Sequence, residues 1–160
     1  MPEAEWKRIE RKVADWLSRW WFGRKGVLRR SPMSGGWAHN KEMGDIIVDE
    51  RKLCAGDPEF PFYVEVKRRK ALNNPFGVWN PAAKTGIWAL LRQVKSVAAK
   101  QKKVALLAVW VRCHQRGRIM LLVDVGQLHS ICGYNKSTEM QQQGWVWMIS
   151  SAGSVLTKLI

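Results

Sequence analysis

Three consecutive β-branched residues, Ile46-Ile47-Val48, sit inside the segment GDIIVDE, Gly44 to Glu50. Successive side chains of a strand point to opposite faces of its sheet, so a run that is apolar at every position suggests burial on both faces. FYVEVK (Phe62 to Lys67) comes next as a partner strand, in the manner of a hairpin neighbour. Two helices accompany them. Trp6, Ile9, Val13, Trp16, Leu17 and Trp20 recur at helical spacing across Glu5 to Phe22, and Gly23 and Gly26 end that helix. Gly86 to Lys103 is a second amphipathic helix, with Trp88, Leu91, Val94 and Ala98 inward. VALLAVWV (Val104 to Val111) and RIMLLVDV (Arg118 to Val125) read as strands joined by a Gly-containing turn, and GWVWMI (Gly144 to Ile149) as a last strand. Val27 onward holds a short strand and then a Pro/Ser/Gly loop. The order helix, strands, helix, strands gives an α/β class with a mixed central β-sheet flanked by helices. A length of 160 residues suits one domain spanning 1–160, and 46% hydrophobic residues supply its core.

Lys and Arg total 27 against 13 acids, a formal charge of +14. Such an excess favours a polyanionic partner, most often nucleic acid. Charge alone does not separate nucleic acid from an anionic membrane surface, nor a binder from an enzyme. No apolar run reaches the roughly 18 residues that cross a bilayer. MPEAEWKRIERK has no apolar h-region, so no secretory signal is expected. Cys54, Cys113 and Cys132 are scattered without a C-x-x-C pair, and His39, His114 and His129 offer no zinc spacing. Free thiols in a reducing, cytoplasmic compartment that holds DNA are the expectation.

With so few acids, those in apolar settings carry information. In FYVEVKRRK (Phe62 to Lys70), alternation turns Phe62, Val64 and Val66 to one face and Tyr63, Glu65 and Lys67 to the other. The Cα atoms of Glu65 and Lys67 lie roughly 6.5–7 Å apart, so their heads can meet around one small object. A mild charge pair on the wet face of an edge strand accounts for the same spacing. Asp45 stands at the mouth of an apolar strand, where a carboxylate is costly unless it is paired or holds a cation. A solvated strand end or turn cap accounts for it as well. If the two strands pair, Asp45 and Glu65 converge. Two carboxylates plus water suit Mg2+, which stabilises a pentavalent phosphate and lowers the pKa of an attacking water. Lys67 beside it positions that water or neutralises developing charge. Glu10 lies within roughly 20–40° of Leu17 and Trp6 on the helical wheel, at the edge of the apolar stripe. A snorkelling Glu, or one paired with Lys7, is the plain account of it.

Gly44-Asp45 followed by Glu65-Val66-Lys67 resembles the PD-(D/E)xK nuclease superfamily. IERKVADWL (Ile9 to Leu17) is similar to the first helix of archaeal-type Holliday junction resolvases, and the resemblance implies that Glu10 contributes to the metal site. LLRQVKSVAAKQKKVALLAVWV (Leu90 to Val111) resembles that family's helix and following strand, which implies that Gln93 orients the water or the Lys. RSPMSGGW (Arg30 to Trp37) resembles its Ser-Gly loop, which makes Ser34 a candidate for a phosphate contact or catalytic help. The resemblance covers residues 5–112. It departs at the long Pro-rich segment 70–85 and after Arg112.

The resemblance implies a restriction-endonuclease-like core. Its activity is hydrolysis of phosphodiesters in four-way, branched double-stranded DNA, using Mg2+, with Mn2+ the other candidate. Asp45, Glu65 and Glu10 hold the metal with the carbonyl of Val66, and Glu10, Asp45, Glu65 and Gln93 share one small volume. Opposed cuts in two strands imply a two-fold homodimer, with RIMLLVDV or GWVWMI as its interface. Arg29, Arg30, Arg68, Arg69, Lys70 and Lys95 are candidates for phosphate contacts. Trp37 and Trp79 are candidates for stacking on bases or packing a dimer. A restriction-type or repair nuclease of the same superfamily, and a non-catalytic basic DNA-binding module, remain as alternatives.

Overall fold

The computed structural model of the protein describes residues 2–32, 43–69, 86–113, 116–124, 127, 130–131, 146–149 and 155–156. Helix α1 (Pro2–Phe22) turns the stripe Ile9, Val13, Leu17, Trp20 and Trp21 into the interior. It ends where Gly23, at φ +70°, donates its N–H back to the Arg19 carbonyl at 2.9 Å. Ser18 fixes the path of the chain beyond the helix. Its hydroxyl donates to the Arg24 carbonyl at 2.8 Å and accepts from the Val27 N–H at 3.0 Å, which pins the reversing chain to the helix. Strand β1 (Leu28–Arg30) therefore starts directly beneath α1.

β1 pairs antiparallel with β2 (Ile46–Val48), and β2 pairs antiparallel with β3 (Phe62–Arg69) through Ile46 opposite Val64. A 3-10 turn (Glu50–Lys52) lies between β2 and β3. Helix α2 (Ile87–Lys100) is the crossover to β4 (Val104–Cys113), which runs parallel to β3 from Val104 opposite Phe62 to Val111 opposite Arg69. β5 (Arg116–Asp124) is antiparallel to β4, β6 (Val146–Ile149) parallel to β5, and β7 (Val155–Leu156) antiparallel to β6. The seven strands make one mixed sheet in sequence order. The class is α/β, a mixed sheet flanked by helices.

The period of two sorts the strands onto the two helices. Phe62, Val64, Val66, Leu106, Ala108, Leu121 and Val123 meet α1. Tyr63, Ala105, Leu107, Val109 and Leu122 meet Ile87, Trp88, Leu91, Val94 and Ala98 of α2. Burial on both faces thus falls to β3, β4 and β5. β2 lies one place in from the sheet edge, so only Ile46 of its apolar run is fully buried and Ile47 and Val48 are half-buried. Leu121, Leu122 and Val123 of β5 are committed to the chain's own cores, so these residues offer no surface to a second copy.

An aromatic cluster closes the α1 side. Trp21 meets Phe62 edge to face at 5.5 Å between ring centroids, and Trp16 stacks on Trp20 at 6.0 Å. Leu17, at the centre of this stripe, is fully buried. Leu17→Ala is expected to lower the unfolding free energy by about 2–5 kcal/mol in urea titrations. A loss below roughly 1 kcal/mol would show that α1 is not part of the cooperative core.

Candidate active site

β2 begins at Ile46, and the residues before it approach β3 by a different means. Gly44 adopts φ +70°, and a methyl group there would lie 2.7 Å from the Val64 carbonyl oxygen, so only glycine fits. The Asp45 N–H donates to that same carbonyl at 2.8 Å. One carboxylate oxygen of Asp45, Oδ2, accepts from the Val66 N–H at 2.7 Å. Asp45 is thus strapped to β3 by its amide and its side chain, and the Ser31 N–H holds its carbonyl at 2.7 Å from the other side.

On β3 the odd residues share a face. Glu65 stands between two neighbours on it. Lys67 Nζ is paired with Glu65 Oε1, and the Tyr63 hydroxyl donates to Glu65 Oε2 at 3.4 Å. Burial, followed by the negative charge of Glu65, pushes the Asp45 carboxyl up to about 6. The Val66 N–H and the Lys67 ammonium pull it back, and the charge of Glu10 adds to the upward push. Burial, then the charges of Glu65 and Asp45, also raise the Tyr63 hydroxyl. Two mutually repelling carboxylates, half-buried beside an ammonium group, are a common signature of a working site.

The donor set is all oxygen, which fits a hard divalent cation that keeps several waters. Asp45 and Glu65 supply carboxylate oxygens. The N–H and C=O of one strand residue point to the same edge, so the Val66 carbonyl faces the edge that Asp45 occupies. Among the described residues, no group of three or more His, Cys, Asp or Glu side chains stands close enough to hold an ion. Asp45 and Glu65 are the two carboxylates that the fold brings into electrostatic contact at this point.

The other expected site residues are placed differently. Glu10 is completely buried on the α1 side of the sheet, in an ion pair with Arg30, and reaches Asp45 through its charge. Arg30 is opposite Ile46 in the β1–β2 register, so it shares the α1 face and meets Glu10 there. Gln93 is exposed on α2, two residues beyond the buried Leu91 and so, at about 100° per residue, on the far side of the helix from the sheet. The expected gathering of four residues in one volume is not what the chain forms: Gln93 faces outward, and Glu10 is on the other face of the sheet. Arg29 lies 3.8 Å from Asp49, which also takes two bonds from Arg51 at 3.0 and 3.1 Å. Arg68 lies 5.3 Å above the Trp110 ring centre and 3.1 Å from Glu5. Lys95 is half-buried on α2. For Arg69 only the backbone, paired opposite Val111, is described. Ser34, Lys70, Trp37, Trp79, Cys132 and the three His residues lie outside the described residues. Two relationships had no reading in the sequence: the Arg30 partner of Glu10, and the Tyr63 hydroxyl at Glu65. For the second a signal existed, since Tyr63 is two residues before Glu65 on one face.

A mixed sheet with a helix on each face, and Asp45, Glu65 and Lys67 drawn together where β2 begins, has the layout of a restriction-endonuclease-like core. A family model described as "Phage putative PDDEXK endonuclease" matches residues 7–145, and the chain belongs to that family. This places it among the PD-(D/E)xK nucleases. No curated protein and no solved structure matches the chain.

The raised Asp45 carboxyl has a consequence for the metal-free protein. Its folded value, about 6, lies above the ordinary 3.8, so folding favours the protonated form. That contribution is present below about pH 4 and is lost as the pH rises through about 6. At pH 7 in EDTA, Asp45→Asn is expected to be more stable than the wild type by on the order of 2 kcal/mol. The difference should shrink at pH 4 in parallel melts, and equal stability at pH 7 would remove the charge strain from Asp45.

Proposed function

We propose that this protein is a divalent-metal-dependent endodeoxyribonuclease that cuts four-way DNA junctions. The observation that carries the reading is the Asp45 carboxylate held at 2.7 Å by the Val66 N–H and coupled electrostatically to Glu65 and Lys67. Asp45, Glu65 and the Val66 carbonyl would hold Mg2+ or Mn2+, with Glu10 adding negative charge from behind. When bound, such an ion supplies Lewis-acid polarisation of the phosphate and lowers the pKa of a water molecule. The chain's own residues do the remainder. Asp45 is fixed by its hydrogen bonds, so its oxygens need little reorganisation when substrate arrives. Lys67 is 34% exposed at its side chain, and its ammonium can turn from Glu65 toward a phosphate oxygen or the attacking water.

The charge distribution supports a nucleic-acid substrate. Arg92, Lys100, Lys102 and Lys103 are exposed on or just after α2, and no acid occurs between Ile87 and Lys103. These residues and Lys95, with Arg29, Arg69 and Lys70, are the proposed phosphate contacts. Arg68 and Arg30 are engaged by Glu5 and Glu10 and would have to exchange partners to join them. Paired cuts across a junction call for a homodimer, and the proposed setting is a reducing compartment that holds DNA, where the exposed Cys54 is a free thiol. No described helix is long and apolar enough to cross a membrane.

The decisive assay offers a synthetic four-way junction, a linear duplex and a single strand, each with and without Mg2+ or Mn2+. Preferential, metal-dependent cutting of the junction is the expected result. Preference for linear duplex would instead make the protein a restriction-type or repair nuclease. Binding without cleavage in either ion would make it a non-catalytic module. Asp45→Asn and Lys67→Ala should each slow cutting by roughly 100-fold or more while junction binding is retained. Affinity should also fall steeply with added salt, through counterion release.

A further inference from the structure

Tyr63 touches both segments that carry the two central carboxylates. The residue is 4% exposed and belongs to the core with Trp88, Leu91 and Leu107 on the α2 side. The ring atom Cε2 lies 3.3 Å from where a Gly44 Cβ would stand, so the ring fills the space beside the Gly44-Asp45 step. The hydroxyl of the same ring donates to Glu65 Oε2 at 3.4 Å, while Lys67 takes Oε1.

A Glu side chain left alone samples many rotamers, and confining it carries an entropic penalty. A tyrosine has two side-chain torsions, and here packing fixes both. Partners that orient a ligating carboxylate contribute to ion affinity without touching the ion. We infer that Tyr63 is a positioning residue for the ion-binding pair. Its ring sets the separation between the Gly44-Asp45 step and β3, and its hydroxyl holds Glu65 in the orientation that faces Asp45. The inference rests on the proposed function, in that Asp45 and Glu65 are taken as the metal-holding pair.

The test uses Mn2+ as the probe on the full chain, with bound and free ion separated by electron paramagnetic resonance. Tyr63→Phe keeps the ring and its packing and removes only the hydroxyl. It is expected to weaken Mn2+ binding roughly 10-fold. Its metal-free melting temperature should match the wild type. In cleavage assays the Mn2+ concentration for half-maximal rate should rise by the same factor, with the rate at saturating Mn2+ little changed. If Asp45→Asn loses Mn2+ while Tyr63→Phe binds it as the wild type does, the positioning role is overturned and the metal-holding pair stands. If Asp45→Asn binds Mn2+ as tightly as the wild type, the pair itself fails and the inference fails with it. Should Tyr63→Phe also lower the melting temperature, a double-mutant cycle decides. In a Glu65→Gln background the hydroxyl should have no further effect on Mn2+ affinity, and an undiminished effect there overturns the role.

Discussion

The hydrogen bond from the Val66 N–H to the Asp45 carboxylate replaces a rung of the sheet. β2 pairs with β3 only through Ile46 and Val64, so Val66, two residues further along β3, needs another acceptor for its amide. A side-chain oxygen supplies it at 2.7 Å. The bond places a carboxylate in the plane of the sheet at an interrupted edge, where it is partly shielded from water and near Glu65. Burial and like charge then drive its proton affinity up, and the amide and Lys67 draw it down. The perturbed carboxylate of the candidate site originates in a gap in the ladder.

Several surrounding interactions keep that gap in place. Gly44 permits the close approach, and Ser31 ties the end of β1 to the carbonyl of Asp45. On the opposite face, the partly exposed Arg30 reaches in to the completely buried Glu10 and ties β1 to α1. Removing Arg30 alone is costly, since it takes the ion-pair partner from a buried carboxylate. Arg68, between Glu5 and Trp110, fastens the start of α1 to the far end of β3. Together these contacts fix α1 against the strands that carry the acids.

Much of this was legible in residue order, because period alone sorts faces. The inward set Trp88, Leu91, Val94 and Ala98 is buried as helical spacing requires, and Phe62, Val64 and Val66 share the α1 core. The nearness of Asp45 to Glu65 needed only the premise that two strands pair as neighbours. Spacing does not encode the choice of partner across the fold. Arg30 reads as one more surface cation until the β1–β2 register turns it toward Glu10, and Arg68 does so until the parallel β3–β4 register sets Trp110 beside it. Gln93 shows the limit of resemblance. Its neighbours in sequence suggest a role, but the 100° step of its own helix turns it to solvent. The run Ile46-Ile47-Val48 correctly reads as a strand, yet its burial depends on position in the sheet, which lies outside the segment itself.

The strict division of β3 into an α1 face and a chemical face constrains how this family of sequences can drift. A shift of one residue along β3 would turn Glu65 and Lys67 into the aromatic core beside Trp20 and Trp21, and bring Val64 and Val66 out beside Asp45. The α1 core and the grouping of Asp45, Glu65 and Lys67 would be lost together. Length changes in the connections flanking β3 are therefore tolerable only where the strand itself keeps its frame, and within it changes come in steps of two. The strand is read in pairs, the even residues Phe62, Val64 and Val66 in the α1 core and the odd ones Tyr63, Glu65 and Lys67 together on the other face, and neither series can move without the other.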